Sequence, residues 1–130
     1  STYLKYAFPN IYSYSVEPID FDDTKNSLER GEIVSNFPGK KSICDALLTP
    51  EPGKLTFTIN KSTLKGGLVV SEEEVKKTII TLAENLKIIT EPGGAVAAAA
   101  VLHKKINVQN KKVVVMISGG NIDSEMFLSL

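Results

Sequence analysis

The sequence predicts an α/β fold, an open and mostly parallel sheet flanked by helices, and three observations carry that prediction. The first is the run KKVVVMISGGN at 111–121. Five apolar residues, Val113 to Ile117, stand between two lysines and Ser118-Gly119-Gly120, which reads as a strand buried on both faces in the middle of a parallel sheet. The second is Leu68-Val69-Val70, a short buried strand released by Gly66-Gly67 and followed at once by a helix start at Ser71. The third is AVAAAAVL at 95–102. A helix with no polar residue on any side is buried all round, and its small side chains let neighbours approach closely.

Taken in order, Thr2–Phe8 reads as a short amphipathic helix closed by Pro9-Asn10. Ile11–Glu17 alternates and is rich in tyrosine and valine, a strand signature. Thr24–Arg30 follows as a helix. Gly31–Lys41 is loop, with Pro38-Gly39 as a turn. Ser42–Leu48 reads as a short helix capped by Ser42, and the two prolines of 49–53 forbid regular structure. Leu55–Ile59 alternates like a strand yet also suits a helix running through Leu64, and the pattern leaves both open. Ser71 and Glu74 have the spacing of a capping box, with Glu72 and Glu73 adding charge that suits a helix N-terminus. Val75, Ile79, Leu82 and Leu86 then fall on one helical face. Pro92 suits the first position of the next helix, where a missing N–H costs nothing. Lys104–Lys112 is a solvated connection into the last strand. Three parallel-type strands result, at about 11–17, 67–70 and 113–118, with residues 1–130 forming a single α/β segment.

With 15 basic and 15 acidic side chains the formal net charge is zero, and no basic face marks a nucleic-acid partner. No apolar run is long enough to cross a bilayer, and Ser-Thr-Tyr-Leu-Lys is no signal peptide, so a cytoplasmic location is expected. Cys44 is the only cysteine, which excludes an internal disulfide, and its apolar neighbours suggest a buried, inert thiol. His103 is the only histidine and suits a helix C-terminus.

The polar chemistry collects at strand ends, where open α/β sheets hold ligands. Glu17, Asp20, Asp22 and Asp23 fall within seven positions. Asp22 or Asp23 could cap the following helix, or the group could hold a hard cation through carboxylate and carbonyl oxygens. Ser71 and Ser118 end the other two strands. Glu91 stands at a helix N-terminus, either as a structural carboxylate or as one facing a ligand.

SVEP at 15–18, SICDALLTP at 42–50, VVSEEEV at 69–75, ITEPGGAVAAAAVL at 89–102 and VVVMISGGNID at 113–123 recur in this order and spacing in one family. Across nearly its whole length the chain resembles the C-terminal part of pyridoxal-phosphate-dependent threonine/serine dehydratases, relatives of serine racemase and the tryptophan synthase β-subunit. The resemblance implies that Ser118, with Gly119 beside it, meets the cofactor's pyridine nitrogen. A hydroxyl there leaves that nitrogen largely unprotonated, and the ring is then a moderate electron sink suited to β-elimination. It also implies that Glu91 borders the cofactor. Glu17, the Phe21 carbonyl and Asp23 would hold Mg²⁺ or Ca²⁺, and Asn121 is an effector candidate. Ala46 departs from the family, where a glycine often follows the aspartate corresponding to Asp45.

The family's covalent anchor, a lysine in an S-x-K-x-R-G segment, has no counterpart here. Lys61 and Lys65 lack the context, and no catalytic residue is assigned within this chain. The expectation is a C-terminal portion of a larger enzyme that eliminates water from a hydroxy amino acid to give a 2-oxo acid and ammonia, and that is inactive by itself. A racemase or a 3-hydroxyaspartate dehydratase on the same scaffold is the enzymatic alternative. A stand-alone, non-catalytic domain that binds a small ligand is the other. An exposed sheet edge and apolar face lead to the expectation of a homo-oligomer.

Overall fold

The structure, a computed structural model, describes residues 1–130. Two strands pair in parallel, β1 (Ser13–Pro18) and β2 (Leu64–Val70), in a register that sets Glu17 opposite Val69 and Pro18 opposite Val70. Six helices surround them: α1 (Thr2–Ala7), α2 (Asp23–Arg30), α3 (Lys54–Thr63), α4 (Glu72–Leu86), α5 (Pro92–Leu102) and α6 (Ser124–Leu128). The α/β class and the parallel pairing are as the sequence predicts.

The capping box forms as its spacing requires. Ser71 Oγ accepts from the Glu74 amide at 3.2 Å, and the Ser71 amide donates to Glu74 Oε2 at 2.7 Å. Val75, Ile79 and Leu82 turn inward from α4, but Leu86 on the same face is 61% exposed because the last turn overhangs the core. The core joins Val75 and Ile79 of α4, Val70 of β2, the α5 residues Ala95, Val96, Ala99 and Ala100, and Cys44. Burial pushes the Cys44 thiol up to about 11, so it stays protonated and inert, as expected. His103 follows α5 directly at its C-terminal end.

Two expectations are corrected and one open alternative is decided. Residues 113–118 form no strand: from Lys112 to Ser118 no backbone group makes a hydrogen bond, and Val114 and Met116 are 89% and 71% exposed. Burial still alternates along the run as in a strand, with 115 and 117 half-covered and 114, 116 and 118 outward. The apolar pattern has β character, but a strand also needs a neighbour, and β1 and β2 satisfy only each other. Helix α1 forms where the sequence predicts it, although it buries none of its residues. Ser42 caps no helix; its Oγ accepts from the Cys44 amide, and only a single 3₁₀ turn, Asp45–Leu47, follows. Leu55–Ile59 is helical within α3, where Phe57 alone is fully buried, so the alternation is not used as a strand face.

Candidate active site

Two groups of polar residues come together. The first joins the N-terminus of α5 to the Gly119–Asn121 segment. The Gly119 carbonyl accepts from the Glu91 amide at 3.1 Å and from Thr90 Oγ1 at 2.8 Å. The Glu91 carboxylate in turn accepts from the Asn121 amide at 3.2 Å. The two segments approach so closely that a Cβ on Gly94 would lie 2.6 Å from the Gly119 backbone oxygen, while one on Gly119 would meet the movable Glu91 carboxyl. Here glycine is needed for close approach, not for a positive φ.

Ser118 immediately precedes this clamp. Its side chain is exposed and makes no hydrogen bond within the chain. Beside the clamp lies a cleft of about 340 Å³ whose walls include Ser42, Asp45, Glu91, Asn121 and Asp123. That volume is at the lower end of the range for ligand pockets. Glu91 is therefore both a clamp residue and a cleft residue. The exposed Ser118 hydroxyl, next to a clamp whose Glu91 and Asn121 line the cleft, is chemically suited to meet a heterocyclic ligand.

The second group lies where β1 feeds α2. Glu17 is 9% exposed and spends both carboxylate oxygens on helix α2, accepting from the Thr24 and Lys25 amides at 2.9 Å each. The cap of α2 is thus Glu17, from the strand end, since Asp22 at the N-cap position makes no side-chain capping bond. Asp23 is 2% exposed and accepts from Asn36 Nδ2 at 2.7 Å. Burial pushes both carboxyls above their ordinary values, only partly opposed by these donors, and the charge of Asp23 adds to the effect at Glu17. The Phe21 carbonyl accepts no hydrogen bond. No cluster of three or more acidic, histidine or cysteine side chains exists in the chain, so a cation here would need main-chain oxygen beside the two carboxylates.

Ser71, the remaining strand-end residue, is consumed as a helix cap. Three participants escaped sequence reading. Thr90 sits one position before the Glu-Pro-Gly-Gly motif and carries no signal beyond that neighbourhood. Asn36 lies in a loop 13 residues from its partner Asp23. Asp123, two residues beyond Asn121, lines the same cleft.

The family model for pyridoxal-phosphate-dependent enzymes matches residues 1–119. Serine racemase of Dictyostelium discoideum is 43% identical over 118 residues, covering 88% of this chain and 36% of that protein. L-threonine ammonia-lyase of Thermotoga maritima is 36% identical over 126 residues, covering 97% of this chain and 31% of that protein. The crystal structure of a threonine deaminase from T.th. superposes with a TM-score of 0.87 at 34% identity, over 94% of this chain and 44% of that one. The chain thus spans about a third of the length of these curated relatives.

Proposed function

The chain belongs to the family of pyridoxal-phosphate-dependent enzymes, and we propose that it is the C-terminal portion of a threonine/serine ammonia-lyase. When bound, the cofactor supplies an electron sink for the carbanion formed at the α-carbon of an amino acid. The residues of this chain hold and tune that group. Ser118 offers a neutral hydroxyl to the ring nitrogen, and a neutral partner keeps the ring a moderate sink, in favour of β-elimination. Glu91 and Gly119 border the ring, with the Glu91 carboxylate held in place by the Asn121 amide. The observation that carries this reading is the interlocked Thr90–Gly94 and Gly119–Asn121 segments, which leave the Ser118 hydroxyl exposed next to the clamp while Glu91 and Asn121 of that clamp line a cleft.

The substrate in this reading is a small hydroxy amino acid, and the products are a 2-oxo acid and ammonia. The covalent anchor comes from the part of the enzyme that precedes this chain in the family. A second reading, racemisation on the same scaffold, is favoured by the 43% identity to a serine racemase. Glu17, Phe21 and Asp23 are the proposed Mg²⁺ or Ca²⁺ corner, where the unengaged Phe21 carbonyl completes two buried carboxylates. Asn121 is the candidate effector contact.

The test begins with the reading frame on the 5′ side of the Ser1 codon. A glycine-rich run and, further upstream, S-x-K-x-R-G support the reading; a start codon directly before Ser1 turns the chain into a stand-alone ligand-binding domain. The full-length enzyme is then assayed on threonine, serine and 3-hydroxyaspartate. Release of 2-oxo acid and ammonia identifies the lyase, and inversion without release identifies the racemase. Replacing Ser118 by alanine should reduce turnover far more than cofactor occupancy, and unchanged turnover removes Ser118 from the ring-nitrogen role.

A further inference from the structure

Ser118 is held from one side only. Between Lys112 and Ser118 no backbone amide or carbonyl is hydrogen-bonded, so no hydrogen bond within the chain fixes the serine from its N-terminal side. The first fixed group is the carbonyl of the next residue, Gly119. Its two donors come from consecutive residues: Thr90 through its hydroxyl at 2.8 Å and Glu91 through its amide at 3.1 Å. A carbonyl oxygen with both lone pairs engaged has a set direction, and so has the peptide plane that carries it.

Thr90 is suited to this task. It is 0% exposed, and a β-branched side chain has a restricted χ1, which aims the hydroxyl. The Glu91 carbonyl lies 3.1 Å from the same hydroxyl and competes for its one proton, and the shorter 2.8 Å contact goes to Gly119. Space for the contact depends on Gly94, where a Cβ would lie 2.7 Å from Thr90 Oγ1. A valine at 90 would fill the volume but leave the Gly119 oxygen with one donor in a dry site, a loss worth about tenfold in an equilibrium or a rate.

We propose that Thr90 is a positioning residue for Ser118: by anchoring the Gly119 carbonyl it determines where the Ser118 hydroxyl stands relative to the cofactor ring. The inference rests on the reading that Ser118 meets the ring nitrogen.

The experiment is a double-mutant cycle in the full-length enzyme, with T90V, T90S, S118A and T90V/S118A. Turnover, KM and the absorbance and fluorescence of the bound cofactor are measured, with amide hydrogen exchange over residues 118–121 in the cofactor-free protein. T90V should lower kcat by about tenfold with KM changed less than about twofold, shift the cofactor emission, and speed exchange at 119–121. T90S, which keeps the hydroxyl, should restore kcat and emission. In the S118A background T90V should have little further effect on kcat, because both substitutions then remove one interaction. Wild-type kcat in T90V, or an equal T90V effect with and without Ser118, overturns the proposal. If T90V does not fold, T90S decides: near-normal kcat and exchange support the role of the hydroxyl, and a T90V-like loss overturns it. If S118A itself leaves kcat and emission unchanged, the underlying reading of Ser118 fails, whatever Thr90 does to exchange.

Discussion

Ser15 carries the one buried side-chain oxygen without a hydrogen-bond partner. It lies in the middle of β1, opposite Gly67, where a hydroxyl gains nothing from burial. Replacing it by alanine should raise stability by about 1 kcal/mol, seen as a higher melting temperature; a lower one would mean that the hydroxyl is engaged. Glu17 and Asp23 act in the opposite direction to most native carboxylates. Their folded pKa values lie above the ordinary ones, so the native state binds protons more readily than the unfolded chain. Their contribution is fully present below the ordinary carboxylate range and is lost as pH rises through the folded values. A divalent cation bound to the ionised pair would reverse that loss by linkage. Thermal melts at about pH 7 with Mg²⁺ or Ca²⁺ should therefore show stabilisation that Asp23→Ala removes, and a shift persisting in Asp23→Ala would place the ion elsewhere. These details escape sequence reading because each depends on a partner distant in the chain: Asn36 for Asp23, Gly119 for Thr90.

Helix α4 was legible almost to the residue because its signals are local. A capping box and an i, i+4, i+7 stripe act within four residues of one another, whatever the rest of the chain does. One link at its start was not legible. Lys105, beyond the end of α5, bridges to Glu74 Oε1 at 2.7 Å. Burial alone would raise the Glu74 carboxyl, but the Lys105 ammonium and the Ser71 donors outweigh it and hold it below its ordinary value. Its contribution is present above pH 4.5 and is lost as pH falls through the lower, folded value. Glu74→Gln keeps an acceptor for the Ser71 amide and loses only the charge. It should cost no more than about 1 kcal/mol at about pH 7, since the pair is part-exposed, and that cost should vanish once the pH falls below the lowered folded value. Equal losses at both pH values would show that the ion pair is not the cause. Helix α5 was equally legible, but for a different reason: eight of its 11 residues are buried, and an all-apolar sequence has no other stable place.

The molecule exposes 8675 Å². A compact monomer of 14.1 kDa exposes about 6,700 Å², so roughly 2,000 Å² is in excess, comparable to one side of a large interface. The excess is apolar in character: Tyr3, Tyr6 and Tyr12 near the N-terminus and Val114 and Met116 in the unpaired run are all more than two-thirds exposed. This chain alone is expected to self-associate, with a mass above 14.1 kDa by light scattering, and V114K/M116K should return it to a monomer. A monomeric mass for the unaltered chain at high concentration would contradict this. No helix is long and apolar enough to cross a membrane.

The α/β class, the parallel pairing of β1 with β2, the capped helix, the buried alanine helix and the family all follow from the amino-acid order, because each is written in contiguous residues or in motifs of constant spacing. The same motifs bring Glu91, Ser118, Gly119 and Asn121 under one heading, although only the fold shows that three of them touch. That Val113–Ile117 lies unpaired, that Glu17 caps α2 from the strand before it, and that Thr90 anchors the segment after Ser118 became visible only in three dimensions. One cause is common to all three. A strand, a remote cap and a carbonyl anchor are each completed by a hydrogen-bond partner elsewhere in the chain, and local pattern records the demand for that partner without recording whether the fold supplies it.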